Sequence, residues 1–260
     1  MKALQFHYSM RIRFASPVRE HHFTLRCLPG SDERQRIQNL SYTVFPNEFV
    51  SLAQDSFENE CIYGYSKGEH DRFEVDVRGN VTTGLSDSIS APREERAAIF
   101  KYQTWLTKPG EHLLAYRKKF DFPAAVSSYD KAYRIMEQLH GDFTYEAGAT
   151  NVLTTAEEAL ALRKGVCQDY AHIMISLCRM FLIPARYVVG MLEGEGASHA
   201  WVEIYDSGRW YAFDPTNFLT VKNDHIKISN GRDYKDCMIN QGVFCGQTTQ
   251  TQEVSVVVLS

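Results

Sequence analysis

Three residue types in one order carry the chemistry of this chain: Cys167, His199 and Asp214. Together they are the parts of nucleophilic acyl transfer. A thiol attacks, an imidazole takes the thiol proton and returns one to the leaving group, and a carboxylate fixes the imidazole tautomer and supports its charged form. A cysteine could equally be an inert core thiol, a disulfide partner or a metal ligand, so its position must decide. The six cysteines (27, 61, 167, 178, 237 and 245) are scattered over 260 residues with no CxxC spacing, and the pair His21–His22 has no partner at ligand distance in sequence. Structural disulfides and a bound metal are therefore not expected.

Cys167 opens the segment CQDYAHIMISLCRMFLIP, in which Gln168, His172, Ser176 and Arg179 form one narrow polar stripe. The rest is apolar, which predicts a helix over 168–183, buried nearly all round and ended by Pro184. Cys167 then lies in its first turn, where unpaired N–H groups and the macrodipole stabilise an anion. Cys178 falls on an apolar stripe of the same helix and reads as a small buried hydrophobe.

The segment HAWVEIY alternates, with His199, Trp201, Glu203 and Tyr205 on one face; WYAFDPTN follows a turn at DSGR and carries Trp210, Ala212 and Asp214 on one face. If the two form a hairpin, a register opposing Asp214 to His199 or to Trp201 puts the carboxylate on the imidazole's face. The register between them puts it on the other.

The elements that must hold these residues differ in texture along the chain. Leu4, Phe6, Tyr8, Met10, Ile12 and Phe14 alternate with polar residues, as in a half-buried strand. HFTLRCL and RFEVDVRGN read as further strands between turn clusters, so residues 1–88 form a β-rich module. Residues 89–260 form a helix-and-strand catalytic domain with its core at about 128–220. There Pro92 marks a helix start, Tyr129, Ala132, Ile135, Met136 and Leu139 a helix over 128–140, and EVSVVV a closing strand. Thr155 with Glu158 fits a capping box, and Gly165 fits the stop of that helix. The fold class is α+β.

The chain is 44% hydrophobic and 23% charged with a net charge of −4, which excludes a nucleic-acid footprint. It has no 18-residue apolar run and no signal-like start, so neither membrane nor export is expected and a cytoplasmic protein is. A calcium-dependent enzyme is disfavoured, since no Asp/Asn/Glu loop has ligand spacing.

GVCQDYAHIMISLCRMFLIPARYVVG, SHAWVEIY and WYAFDPTN resemble the core of the transglutaminase-like superfamily of papain-like thiol enzymes. FTYEAGATNV and TAEEAL resemble the approach to its cysteine, and the N-terminal module resembles that of the bacterial subgroup. The resemblance implies a papain-like fold with Cys167 as nucleophile, His199 as base and Asp214 as its orienter, without a cofactor. It implies a thiol peptidase or amidase acting on a peptide or protein through a thioester, with acyl transfer to an amine, or a silent peptide-binding module, as alternatives. The Cys167 N–H is one oxyanion donor, with Tyr145 or Gln168 as the second. Trp201 and Tyr170 are expected to contact substrate. Cys237 and Cys245, in DYKDCMINQGVFCG, have no chemical role in this scheme and are taken as structural.

Overall fold

The computed structural model of the chain describes residues 1–91 and 94–260. Pro92, the expected helix start, lies outside them. Five strands open the chain: β1 (Lys2–Leu25), β2 (Gln35–Phe45), β3 (Phe49–Gln54), β4 (Glu60–Ser66) and β5 (His70–Thr83), followed by the short β6 (Ser88–Ser90). The helices α1 (Glu94–Ala97), α2 (Glu111–Arg117) and α3 (Ser128–Asp142) come next, then β7 (Thr144–Tyr145), α4 (Ala156–Leu162), β8 (Lys164–Gly165) and α5 (Cys167–Met180). The remainder is strand apart from a 3-10 turn at Tyr234–Cys237: β9 (Ala185–Leu192), β10 (Gly194–Gly196), β11 (His199–Asp206), β12 (Arg209–Asp214), β13 (Leu219–Thr220), β14 (His225–Gly231), β15 (Asn240–Cys245) and β16 (Gln250–Leu259). The class is α+β with strand outweighing helix, 46% to 21%.

β1 organises an eight-stranded sheet. Its first half, with Leu4, Phe6, Tyr8, Met10, Ile12 and Phe14 all buried, pairs with β16 and with β5. After a register break between Arg13 and Val18 its second half pairs with β4 and with β15. The alternation predicted two strands here; one strand bends where the register slips. The sheet is not built from residues 1–88 alone, because β10, β15 and β16 return to it. The closing strand EVSVVV lies within β16, antiparallel to β1.

A six-stranded sheet, in the order β13-β12-β11-β9-β14 with β6 also on β12, carries the helices on one face. Ala200, Val202 and Ile204 of β11 and Ala185, Tyr187 and Val189 of β9 pack with α3, α4 and α5 in one core. Trp201 and Val188, on the alternate positions, pack instead with Ala212 and Val221 behind the sheet. Met191, Ile226 and Ile228 continue into the core of the eight-stranded sheet, so the two sheets share apolar contacts.

Every residue of α5 from Gln168 to Arg179 is buried, as the apolar pattern predicts. The polar stripe is bonded only in part, since Ser176 Oγ and His172 Nδ1 are buried without a partner. Arg179 donates to the carbonyls of Phe100, Ala185 and Arg232 and to the Thr107 hydroxyl. His172 accepts from the Tyr234 N–H. The helix ends a turn before Pro184, where Leu182 takes a left-handed φ of 60°.

Candidate active site

The approach to Cys167 is set by α4. Thr155 and Glu158 form the expected capping box, the Glu158 N–H donating to Thr155 Oγ1 at 3.3 Å and the Thr155 N–H to Glu158 Oε2 at 2.8 Å. The helix stops at Arg163, which takes the left-handed conformation itself with φ 57°. Gly165 is thus not the stop that its position suggests. It sits in β8, paired in parallel with Tyr145 of β7, and its missing side chain makes room for a carboxylate. A Cβ there would meet Asp169 Oδ2 at 2.3 Å. That oxygen accepts the Val166 N–H at 2.7 Å and the Thr150 hydroxyl at 2.6 Å, fixing the entry into α5. Burial pushes the Asp169 carboxyl up although both hydrogen bonds pull it down.

Gly165→Ala is accordingly expected to displace Asp169 and the first turn of α5. The overpacking should cost about 1–3 kcal/mol and slow modification of Cys167. Urea denaturation and the rate of Cys167 alkylation read the two effects; an unchanged alkylation rate contradicts the argument.

Cys167 is the first residue of α5, half-buried, with a backbone N–H that has no intrahelical acceptor. β11 and β12 form the hairpin, in the register that sets Val202 opposite Phe213 and therefore Trp201 opposite Asp214. Ser207 and Gly208 make the two-residue turn with φ of 48° and 82°. His199 is the first residue of β11, on the strand face turned away from α5. Its place at the end of the strand, rather than its face, lets the ring meet the helix N-terminus. His199 Nε2 donates to Asp214 Oδ2 at 2.7 Å, and the ring lines the same cavity as Cys167.

Burial opposes a charge on His199, but the Asp214 carboxylate, by hydrogen bond and charge, and the neighbouring Cys167 push its pKa up to about 10. The ring is therefore held as imidazolium at neutral pH, and that charge is lost only as pH rises through about 10. Asp214 is fully buried. It is held well below the usual carboxylate range, its burial outweighed by the bonds from His199 and His225.

Three partners of Asp214 escaped the sequence reading. Asn217 donates its side-chain N–H to Oδ2 at 2.8 Å, and the Thr216 and Asn217 N–H groups donate to Oδ1 at 3.0 and 3.2 Å. This is an Asx turn, a signal readable in DPTN. His225 Nε2 donates to Oδ2 at 3.1 Å. It comes from β14, which reaches the site by pairing with β9, so no local pattern announced it. Burial keeps His225 below its ordinary value, hence neutral. Ligand atoms of His199, Asp214 and His225 lie within 4.8 Å of one another, a set that could hold a metal, though their mutual hydrogen bonds already occupy them.

The expected substrate contacts are corrected. Trp201 is 1% exposed in the core behind the sheet, and Tyr170 is 2% exposed with its hydroxyl donating to the Phe143 carbonyl at 2.7 Å. Both are packing residues, because alternation gives a face without saying whether that face meets solvent. Tyr145 is exposed, and its phenol is pushed up by partial burial and by the nearby Cys167. Gln168 lies beside Cys167 and donates to the Val152 carbonyl at 3.3 Å. Cys237 is buried in the helix core as a structural residue, whereas Cys245, at the end of β15, is exposed.

Residues 121–215 match the model of the transglutaminase-like superfamily, and residues 4–82 that of the bacterial transglutaminase-like N-terminal region. The chain carries a transglutaminase-like superfamily core behind a bacterial transglutaminase-like N-terminal region. The matched core thus runs from the approach to α3 to the residue after Asp214, enclosing Cys167, His199 and Asp214. An uncharacterised protein of Mycobacterium leprae is 35% identical over 122 residues, covering 43% of this chain and 43% of that protein. One of Mycobacterium tuberculosis is 34% identical over 125 residues, covering 42% of this chain and 40% of that protein. The matches span less than half the length of these curated relatives. Among solved structures, a candidate cysteine protease from Cytophaga hutchinsonii superposes with a TM-score of 0.79 at 23% identity, covering 99% of this chain and 91% of that one. At that identity the likeness shows the fold. No described helix is long and apolar enough to cross a membrane.

Proposed function

We propose that the protein is a cysteine-dependent amide-bond hydrolase acting on a peptide or isopeptide. One observation carries the reading: the His199 ring donates to the Asp214 carboxylate at 2.7 Å and lines the same cavity as the thiol at the N-terminus of a buried helix. The raised pKa of His199 supports a proton on the ring, and in the proposed step the Cys167 sulfur reacts as the nucleophile. The sulfur attacks the carbonyl carbon, and the Cys167 N–H, with Tyr145 or Gln168, receives the oxyanion. His199 gives its proton to the departing amine, and a thioester remains. The now neutral ring takes a proton from water, the hydroxide adds to the thioester, and the collapse of this second tetrahedral species expels the thiolate. Asp214 keeps the ring's far nitrogen protonated throughout.

Hydrolysis is proposed ahead of transfer to an amine because the thiol opens on a cavity of about 1470 Å³, which admits water. Six unpaired thiols suit a reducing compartment, and the cytoplasm is proposed. Brief iodoacetamide treatment near pH 6 is expected to label Cys167 first of the six thiols, with Cys178 protected. Cys245 is the stringent control, being exposed but at the end of a strand rather than at a helix N-terminus. Peptide mapping decides it; labelling of Cys245 ahead of Cys167 contradicts the reading.

A further inference from the structure

The cavity in front of Cys167 is larger than the several hundred Å³ of ordinary small-molecule pockets, at about 1470 Å³. Most of its wall comes from outside the superfamily core: from β1, β3 and β4 of the N-terminal module and from β15 and β16 of the C-terminal segment. Among the described residues, no Asp, Glu, Lys or Arg lines it, although 23% of the chain is charged. The contrast with the other large depression, of about 940 Å³, is direct. That one carries Asp32, Glu58, Glu60, Glu95, Arg186 and Lys227.

What lines the active-site cavity is apolar, aromatic, hydroxyl or amide. Phe49, Val152 and Val243 stand 61%, 51% and 70% exposed around it, apolar side chains that contribute little to the core. Of its imidazoles, His21 is kept neutral, with burial and the neighbouring His70 and His22 lowering it to about 4. Two features suit an extended chain. β15 is hydrogen-bonded to β1 along one side only, among the described residues, and five of its six residues, Asn240 to Phe244, line the cavity. An edge strand is a template for a further strand. The carbonyl oxygen of the Asn240 side chain is also buried without a partner in the protein, an acceptor that a substrate N–H would satisfy.

We propose that this cleft binds an extended polypeptide segment bearing uncharged side chains, so that the N-terminal module and the C-terminal strands set specificity for the thiol. The inference rests on the amide-hydrolase reading, and a charged side chain would enter a cavity whose wall, beyond the Cys167–His199 pair, offers no carboxylate, ammonium or guanidinium to offset its desolvation.

Binding tests it apart from turnover. In the Cys167→Ala protein, fluorescence anisotropy would compare fluorescein-labelled peptides of Phe, Val, Gln and Ser with copies in which every Gln is Glu or Lys. The neutral peptide is expected to bind at least about tenfold more tightly than either copy. Val243→Lys, at an exposed position that should not disturb folding, is expected to narrow the gap for the Glu peptide by about threefold to fivefold. Equal affinities, no binding of any of the three, or a gap unmoved by Val243→Lys would overturn the proposal. Selective binding of the neutral peptide without cleavage by the unsubstituted chain would count against the hydrolase reading while supporting this one.

Discussion

Asp214→Asn is expected to lower turnover by as much as ~10⁴ while leaving the chain folded, by analogy with the serine triad. The carboxylate receives five hydrogen bonds, from His199, His225, the Asn217 side chain and the N–H groups of Thr216 and Asn217. An amide at the same position keeps one acceptor for the two backbone donors. Its other end faces three donors, and if the NH₂ points there His199 must turn to its other tautomer, moving the proton to the nitrogen that serves the sulfur. Turnover, read with a cleaved peptide, should fall far more than stability, read by urea denaturation, which should drop by about 1–3 kcal/mol. A loss of activity smaller than about tenfold would mean that Asp214 only supports the fold.

The second large effect lies behind the sheet. Glu203 is 1% exposed and meets the Arg186 guanidinium at 2.5 Å, Lys227 at 3.0 Å and Arg34 at 3.8 Å. Burial disfavours its charge, but Arg186, Lys227 and Arg34 outweigh it and lower the pKa to about 2. Glu203→Gln removes the anion and leaves three cations close together, so a loss of about 3–5 kcal/mol is expected. Because the folded-state pKa is depressed, the charge stabilises the protein fully above the ordinary value of 4.5 and ceases to do so as pH falls through about 2. The difference between the unsubstituted chain and the variant should therefore be widest at neutral pH and narrow between pH 4.5 and 2. A difference that does not change with pH would show that Glu203 matters for packing rather than charge.

The parts of the site that were legible in the sequence are those fixed by local periodicity. α5 announced itself because a nearly unbroken apolar helix has few alternatives, and the hairpin because β11 and β12 alternate about a short turn. Alternation gave the register up to two choices, of which the fold takes the one opposing Trp201 to Asp214. What escaped depends on pairing between distant segments. His225 reaches Asp214 only because β14 lies against β9, and β10, β15 and β16 join the N-terminal sheet across nearly the whole chain. Alternation also assigns faces without saying which face is covered, so Trp201, read as a substrate contact, is packed against Val188 and Ala212. Gly165 misled for a related reason: a glycine after a helix usually supplies a left-handed stop, but here Arg163 does so and Gly165 clears space for Asp169.

The most direct test of the central claim is to catch the thioester. The chain would be mixed with a peptide amide substrate, quenched in acid within the first turnover and mapped by mass spectrometry, with Cys167→Ala in parallel. The predicted result is an acyl adduct confined to the peptide bearing Cys167, removed by hydroxylamine, with neither adduct nor product in Cys167→Ala. Product formation by Cys167→Ala, or an acyl group carried on another residue, would contradict it.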